Sequence, residues 1–321
     1  MDLEKIRLFE GGACSNLAEQ ISRHLGIPLS GVDIKPFKDG ERFVKLEENV
    51  RGMHVFFIQS TQPPADNLMQ LLVMIDAAKR ASAKEITAVI PYFGCARQER
   101  KKEGRVPITA SLIADLLATA GADRVVTVEL HSAAIQGFFH FPCDHLYMSP
   151  VMVPVIKDII SESGKEIALC STDINGGKIV RALERKYFPQ VRTVIVDKDR
   201  AAHGVSNVAE VNGDPAGCVC IMVDDMIDGG GSMVNTEQAL RDKGAIETHA
   251  IATHPVFSGE AVQKLEASPI KSVHVGDTIP IRSELAPGSK IKIHSFGSLI
   301  GDAIRAIAEE TSVSEVCFEE R

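Results

Sequence analysis

Apolar runs of four to seven residues alternate along the chain with stretches whose apolar residues recur every three or four positions. The runs 55–58, 86–90, 125–129, 167–170, 193–196, 219–223 and 246–252 predict strands buried on both faces of a parallel sheet. The segments 15–25, 67–81, 108–120, 152–163, 178–187, 233–243 and 259–266 predict helices with one apolar face. This alternation predicts a doubly wound, mainly parallel α/β architecture. The order strand, helix, strand recurs on either side of Met148-Ser149-Pro150, which fits an ancient duplication. The expected domains are 1–149 and 150–321, and no short-period repeat is present.

Composition narrows the classes. The chain has 321 residues, 45% of them hydrophobic, enough for two cores. A net charge of −8 argues against a general nucleic-acid-binding surface. No apolar run approaches the ~18 residues of a membrane span, and the N-terminal residues lack a signal-peptide layout. Seven scattered cysteines, without Cys-x-x-Cys, indicate neither a disulfide framework nor a zinc site, so a reduced, cytoplasmic protein is expected.

The most informative segment follows the 219–223 run. It reads Asp224-Asp225-Met226-Ile227-Asp228-Gly229-Gly230-Gly231-Ser232 and leads into a helical pattern. Ligands of open α/β sheets sit beyond the carboxyl ends of strands. Glycines admit an anion close to the backbone, and the helix that follows offers free N–H groups and the positive end of its dipole. Acids beside a phosphate cup repel a lone phosphate but suit sugar hydroxyls or a bridging cation, so the ligand indicated is a sugar phosphate. The alternative is an ordinary strand, polar turn and capped helix.

Other segments occupy equivalent places. Five of the nine positions from 97 to 105 are basic, just after the 86–90 run. They suit a polyphosphate, or form a solvated loop. His131 and Asp173 each follow a predicted strand, where an accessory Mg²⁺, which takes few protein ligands, could be held. Lys198 and Arg200 stand at another strand end, ahead of a small, polar run suited to a mobile flap. Residues 37–41, Phe-Lys-Asp-Gly-Glu, read alone as a charged turn.

Together these segments resemble the ribose-phosphate pyrophosphokinases of the common bacterial and eukaryotic class, from about residue 5 onward. The Asp224–Ser232 stretch resembles the phosphoribosyl-diphosphate loop: Asp224 and Asp225 match the acids that hold ribose hydroxyls, and Asp228, Gly229, Gly230, Gly231 and Ser232 occupy the place of the 5-phosphate cup. Phe37, Asp39 and Glu41 match an adenine-binding segment that serves a neighbouring subunit's site. Arg97, Gln98, Glu99 and Lys101 match the ATP loop, and Leu130-His131 with Ile135-Gln136-Gly137-Phe138-Phe139 the metal and ATP histidine segment. Lys198-x-Arg200 matches the catalytic loop, and Asp277-Thr278-Ile279-Pro280 a further family stretch.

The resemblance implies two domains, each like a phosphoribosyltransferase core, with the last ~15 residues packing on the N-terminal domain. It implies a Mg²⁺ cofactor held in part by His131 and Asp173, ATP and ribose 5-phosphate as substrates, and dimers assembled into a homohexamer. The activity implied is transfer of the diphosphoryl group of ATP to the 1-hydroxyl of ribose 5-phosphate for nucleotide biosynthesis, with Lys198 and Arg200 catalytic. A phosphoribosyltransferase, a non-catalytic regulatory homologue and a sugar-phosphate-binding protein are the alternatives.

The chain departs from the family pattern in places. Glycine and serine stand at 229 and 232 where threonines are usual, and Glu103 replaces a basic residue. Thr172-Asp173-Ile174-Asn175-Gly176-Gly177 is one residue longer than Pro-Asp-x-Gly-Gly.

Overall fold

The computed structural model describes residues 5–174, 176–198 and 209–317, without the side chains of 198, 209, 316 and 317. These residues fall into two compact units. The first contains the described chain up to Tyr147, the segment Thr278–Pro280 and the described chain from Ser295 onward. The second contains Met148–Asp277 and Ile281–His294, less its undescribed residues.

In the first unit, β1 (Ile6–Glu10), β4 (His54–Ile58), β5 (Glu85–Ile90), β6 (Arg124–Val128) and β7 (Cys143–Leu146) form a parallel sheet in chain order. Its strands are buried on both faces, which is why they read as unbroken apolar runs. Phe57, Ala88, Ile90 and Val125 pack with Leu71, Ile75, Ile113 and Leu117 of α2 (Asp66–Arg80) and α3 (Thr109–Ala120). Leu8, Phe56, Val89 and Val126, at the alternate positions, are also buried. α1 (Ser15–Leu25) buries Leu17, Ala18 and Ile21 and packs on α8 (Gly297–Ala308), a helix supplied by the returning C-terminal chain. A separate antiparallel hairpin, β2 (Val32–Pro36) and β3 (Arg42–Leu46), carries residues 37–41 at its turn.

The second unit holds a seven-stranded sheet. Its order is β10 (Ala209–Asn212), β9 (Arg192–Lys198), β8 (Ile167–Ser171), β11 (Val219–Ile227), β12 (Glu247–Pro255), β13 (Ser272–Gly276) and β14 (Ile291–His294). Only β10 runs antiparallel, against β9. α4 (Ser149–Ser163), α5 (Gly177–Tyr187), α6 (Gly231–Asp242) and α7 (Ala261–Ala267) connect the strands, and the short α9 (Val313–Cys317) follows α8. The doubly wound reversal lies in this sheet: the chain moves outward from β8 to β10, then returns to the other side of β8 for β11 to β14. Among the described residues, no helix is long and apolar enough to cross a membrane.

The predicted helices and strands reappear with small shifts at their ends. One shift matters, because β11 continues four residues past Val223, takes both Asp224 and Asp225 into the strand and pairs Asp224 with Ala252 of β12. β13 was missed because its sequence, Ser-Val-His-Val-Gly, hides a buried polar face. That face carries a hydrogen-bonded row. Glu247 Oε1 meets His249 Nε2 at 2.9 Å, His249 Nδ1 meets Ser272 Oγ at 2.6 Å, and Ser272 Oγ meets His274 Nε2 at 2.8 Å. His274 Nδ1 meets His294 Nε2 at 2.9 Å, and the two rings stack.

Burial, with His294 and Lys292 nearby, lowers the pKa of His274 to about 4. In the first unit burial, with Arg124 and Lys84, lowers that of His54 to about 4 as well. An unfolded histidine takes up its proton near pH 6.5, so between about 6.5 and 4 the unfolded chain binds protons that the folded chain refuses. Stability is therefore expected to fall as pH drops through that window. Melting temperatures between pH 7.5 and 4.5 should show the decline, and His274→Asn should flatten part of the slope whatever its effect at neutral pH. An unchanged slope would remove His274 from this linkage.

Candidate active site

The reversal between β8 and β11 places two strand ends side by side, at the kind of crevice where open α/β sheets bind ligands. β8 ends in Ser171, followed by Thr172 and Asp173; β11 carries Asp224 and Asp225 near its end. Asp173 Oδ1 accepts the Gly176 N–H at 2.8 Å, which fixes the loop before α5. The Thr172 hydroxyl donates to Asp224 Oδ2 across the crevice. Asp224 Oδ1 accepts the Asp225 N–H at 2.9 Å. Asp225 is buried and Asp224 half-buried. Burial first, then the neighbouring Asp225 and Asp173, raises the pKa of Asp224 to about 8, against the opposing pull of Thr172.

Beyond β11 the chain turns through Asp228 and the glycines into α6. The Asp228 carbonyl accepts the Ser258 N–H at 3.1 Å and the Ile227 carbonyl that of Phe257 at 3.0 Å, so the loop is held from below. The glycines have different roles. Gly230 has φ +76 and lies against Ala261 and Leu265 of α7, so its conformation demands glycine. Gly229 and Gly231 have open space where a Cβ would be and no positive φ. Gly231 and Ser232, in the first turn of α6, are exposed, and the helix begins without a side-chain cap. An anion at this turn would meet unpaired N–H groups and the positive helix end.

The basic loop of the first unit differs from a wholly solvated one. Tyr92, Phe93 and Ala96 are buried, and Phe93 packs edge-on to Phe139 with centroids 5.7 Å apart. Gly94 donates its N–H to Thr61 Oγ1 at 2.7 Å, and a Cβ there would collide with the Thr61 carbonyl oxygen. The aromatic half anchors the loop, and the segment 97–105 emerges from that anchor largely exposed. Arg97 and Gln98 are exposed there; Gln98 Oε1 accepts the Thr109 hydroxyl at the start of α3, Arg100 pairs with Glu99 at 3.4 Å, and Lys101 is exposed.

His131 is half-buried beyond β6, next to two fixed residues. Glu129 is buried at φ 38, a conformation that side chains rarely adopt, and the Leu130 N–H donates to His145 Nε2 at 2.8 Å. Phe37, on the hairpin turn, is 53% exposed and meets Phe43 edge-on, while Asp39 Oδ1 accepts the Glu41 N–H at 3.1 Å. Among the described residues, no three His, Cys, Asp or Glu side chains are grouped to hold a metal ion; His131 and Asp173 belong to different units. Lys198 ends β9, opposite Ala209 of β10. Arg200 and the run 201–208 lie outside the described residues.

Two features escaped sequence reasoning. Thr172 carried no motif signal beyond its neighbour Asp173. A buried amide network ties the loop after β1 to the one after β4. Gln59 Oε1 accepts the Ala13 N–H at 3.0 Å, Gln62 Nε2 donates to the Ala13 carbonyl at 2.9 Å, and Gln70 Nε2 donates to the Gly11 carbonyl. The cluster Gln59-Ser60-Thr61-Gln62 directly after an apolar strand was the available sign.

A ribose-phosphate pyrophosphokinase of Hyphomonas neptunium is 46% identical over 313 residues, covering 97% of this chain and 99% of that one. The chain belongs to the ribose-phosphate pyrophosphokinase family. The family's counterpart from Haemophilus influenzae is 46% identical over 312 residues, covering 96% and 98%. Residues 6–121 match the N-terminal domain of ribose phosphate pyrophosphokinase, and residues 193–318 match the phosphoribosyl synthetase-associated domain. The crystal structure of phosphoribosylpyrophosphate synthetase from Mycobacterium smegmatis superposes with a TM-score of 0.87 at 36% identity, covering 95% of this chain and 99% of that one.

For this member of the family, the crowded acids at the β8–β11 crevice predict a trade of stability for function. The raised Asp224 pKa means that stability is lost as pH rises from about 4, the usual carboxylate value, towards about 8. Asp224→Asn keeps the shape and removes the charge. In protein stripped of divalent cations it should melt a few degrees above wild type, with a gap that widens over that pH range. A gap that narrows as pH rises would contradict the assigned cause.

Proposed function

We propose that the chain transfers the diphosphoryl group of ATP to the 1-hydroxyl of ribose 5-phosphate, giving 5-phosphoribosyl 1-diphosphate and AMP for nucleotide biosynthesis in the cytoplasm. The single observation that carries this reading is the crevice of the second unit, where the glycine-rich turn into α6 follows the acids Asp224 and Asp225 at the end of β11. The near-full-length relatives support the same reading. A phosphoribosyltransferase explains that crevice but leaves the anchored Arg97–Lys101 loop without a task, and Lys198, Arg200 and both acids are present.

Asp224 and Asp225 accept the ribose hydroxyls. The N–H groups of Gly229, Gly230, Gly231 and Ser232, with the Ser232 hydroxyl and Asp228 at the rim, hold the 5-phosphate. Arg97, Gln98, Glu99 and Lys101 orient the triphosphate. Phe37, Asp39 and Glu41, exposed on their hairpin, serve the adenine of a neighbouring subunit, which calls for a homo-oligomer, and the family resemblance makes it a homohexamer built of dimers. The 1-hydroxyl attacks the β-phosphorus and loses its proton to solvent, while the bond from the β-phosphorus to the oxygen bridging to the α-phosphorus breaks and AMP leaves. Lys198 and Arg200 stabilise the charge that develops there.

The residues present suit Mg²⁺. A crevice whose neighbouring acids raise the pKa of Asp224 favours a hard cation with oxygen ligands, and Asp173 is a further donor in that unit; His131, in the first unit, matches the metal histidine of the family pattern. Such a cation neutralises phosphate charge and helps align the reacting groups. Asp224, Asp225 and Asp173 would position what it binds in the second unit, and His131 would do so in the first.

The decisive assay follows AMP. It should form from ATP only when ribose 5-phosphate and Mg²⁺ are both present, and Lys198→Ala should lower turnover by ~10²–10³ while ATP binding persists. AMP formation independent of ribose 5-phosphate would defeat the proposed reaction.

Gly229 offers a second check. Its backbone is free of the left-handed strain that excludes threonine, and nothing lies within 4 Å of a Cβ there. Gly229→Thr adds a hydroxyl beside the cup, and a hydrogen bond to a charged group is worth about 1.5–3 kcal/mol. Titration should show tighter ribose 5-phosphate binding, by roughly tenfold. Weaker binding would mean that the backbone N–H groups already satisfy the phosphate and that the added side chain obstructs it.

A further inference from the structure

We propose that Thr172 is a positioning residue for sugar binding: its hydroxyl, donating to Asp224 across the β8–β11 crevice, sets the plane in which that carboxylate meets the ribose hydroxyls. The inference rests on the proposed reading of the crevice as the ribose 5-phosphate site, and concerns a residue that the motif comparison leaves without a role.

The geometry is specific. Thr172 is 1% exposed, so it acts through Asp224 and not by touching a ligand. Each oxygen of Asp224 receives one donor, Oδ2 from the Thr172 hydroxyl and Oδ1 from the Asp225 N–H. Two donors on two oxygens remove rotation about the final side-chain bond. A carboxylate has about four acceptor directions, so two remain for sugar hydroxyls, already aimed. The donor is itself fixed. Asp173, the next residue, accepts the Gly176 N–H at 2.8 Å and pins the loop. Threonine is stiff at χ1. The link joins positions 52 residues apart, one just past the end of β8 and one within β11, the two strands that flank the reversal. Without it, only one oxygen of Asp224 would be held, and the carboxyl group would be free to rotate out of that plane.

The test compares Thr172→Ser and Thr172→Ala, which differ by the hydroxyl alone, with Thr172→Val as the variant closest in shape. Calorimetric titration of the full chain with ribose 5-phosphate, without ATP, reads the sugar site directly. The serine variant should bind within about threefold of wild type, and the alanine and valine variants about tenfold or more weakly. In turnover assays the KM for ribose 5-phosphate should rise with that for ATP unchanged. Melting curves identify any variant that fails to fold, and the serine–alanine pair decides the matter if valine does not fold. Equal affinities of the serine and alanine variants, or equal loss of both substrates, would overturn the role of Thr172. Because binding is read without ATP, a wild-type protein that binds ribose 5-phosphate but forms no AMP would overturn the proposed reaction instead, while the serine–alanine comparison still decides the role of Thr172.

Discussion

A doubly wound parallel sheet sets two loops side by side where its winding direction reverses, and in the second unit that place lies between β8 and β11. The right-handedness of strand–helix–strand crossovers puts the helices that follow the two strands on opposite faces, so the loops diverge and leave a crevice. The site depends on this. Thr172 and Asp173 arrive from one strand and Asp224 and Asp225 from the other. Three acids so placed, two of them largely removed from water, cost stability unless a cation or sugar hydroxyls compensate. The fold tolerates the arrangement because the strands beneath are buried on both faces and β11 is paired on both sides.

The first unit solves a different problem. A loop rich in arginine and lysine is flexible by composition, and a flexible loop spends ordering entropy on every ligand it grips. Burial of Tyr92 and Phe93, with Gly94 pressed against Thr61, anchors one end of the loop in the core. The Thr109–Gln98 bond ties the start of the charged segment to α3 as well. The amides of Gln59, Gln62 and Gln70 brace the adjoining loops from below. The exposed charges therefore stand on a fixed base, the arrangement that tight recognition of a polyphosphate requires.

Much of this was legible in the chain. The apolar runs marked the central strands because strands of a parallel sheet, covered by helices on both sides, admit few polar residues. Asp224-Asp225 and the glycines marked a ligand loop because few other tasks need acids beside a phosphate cup. Less was legible where two-sided burial does not apply. The hairpin of β2 and β3 is half-exposed, and β13 buries histidines whose polarity is offset by a row of hydrogen bonds. Likewise, no periodicity announces that the segment from Ser295 packs as part of the first unit.

What the sequence determined by itself, then, was local: strand and helix type, the loops that follow strands, and the chemistry each loop carries. These follow from residue spacing and side-chain chemistry, which act over a few positions. What only the tertiary structure decided was adjacency. It put Thr172 against Asp224, took the two acids into strand β11, made Gly230 and not Gly229 the glycine its backbone requires, and turned Tyr92 and Phe93 into an anchor. Each of these depends on contacts between distant parts of the chain, and on burial, which the order of residues alone does not specify.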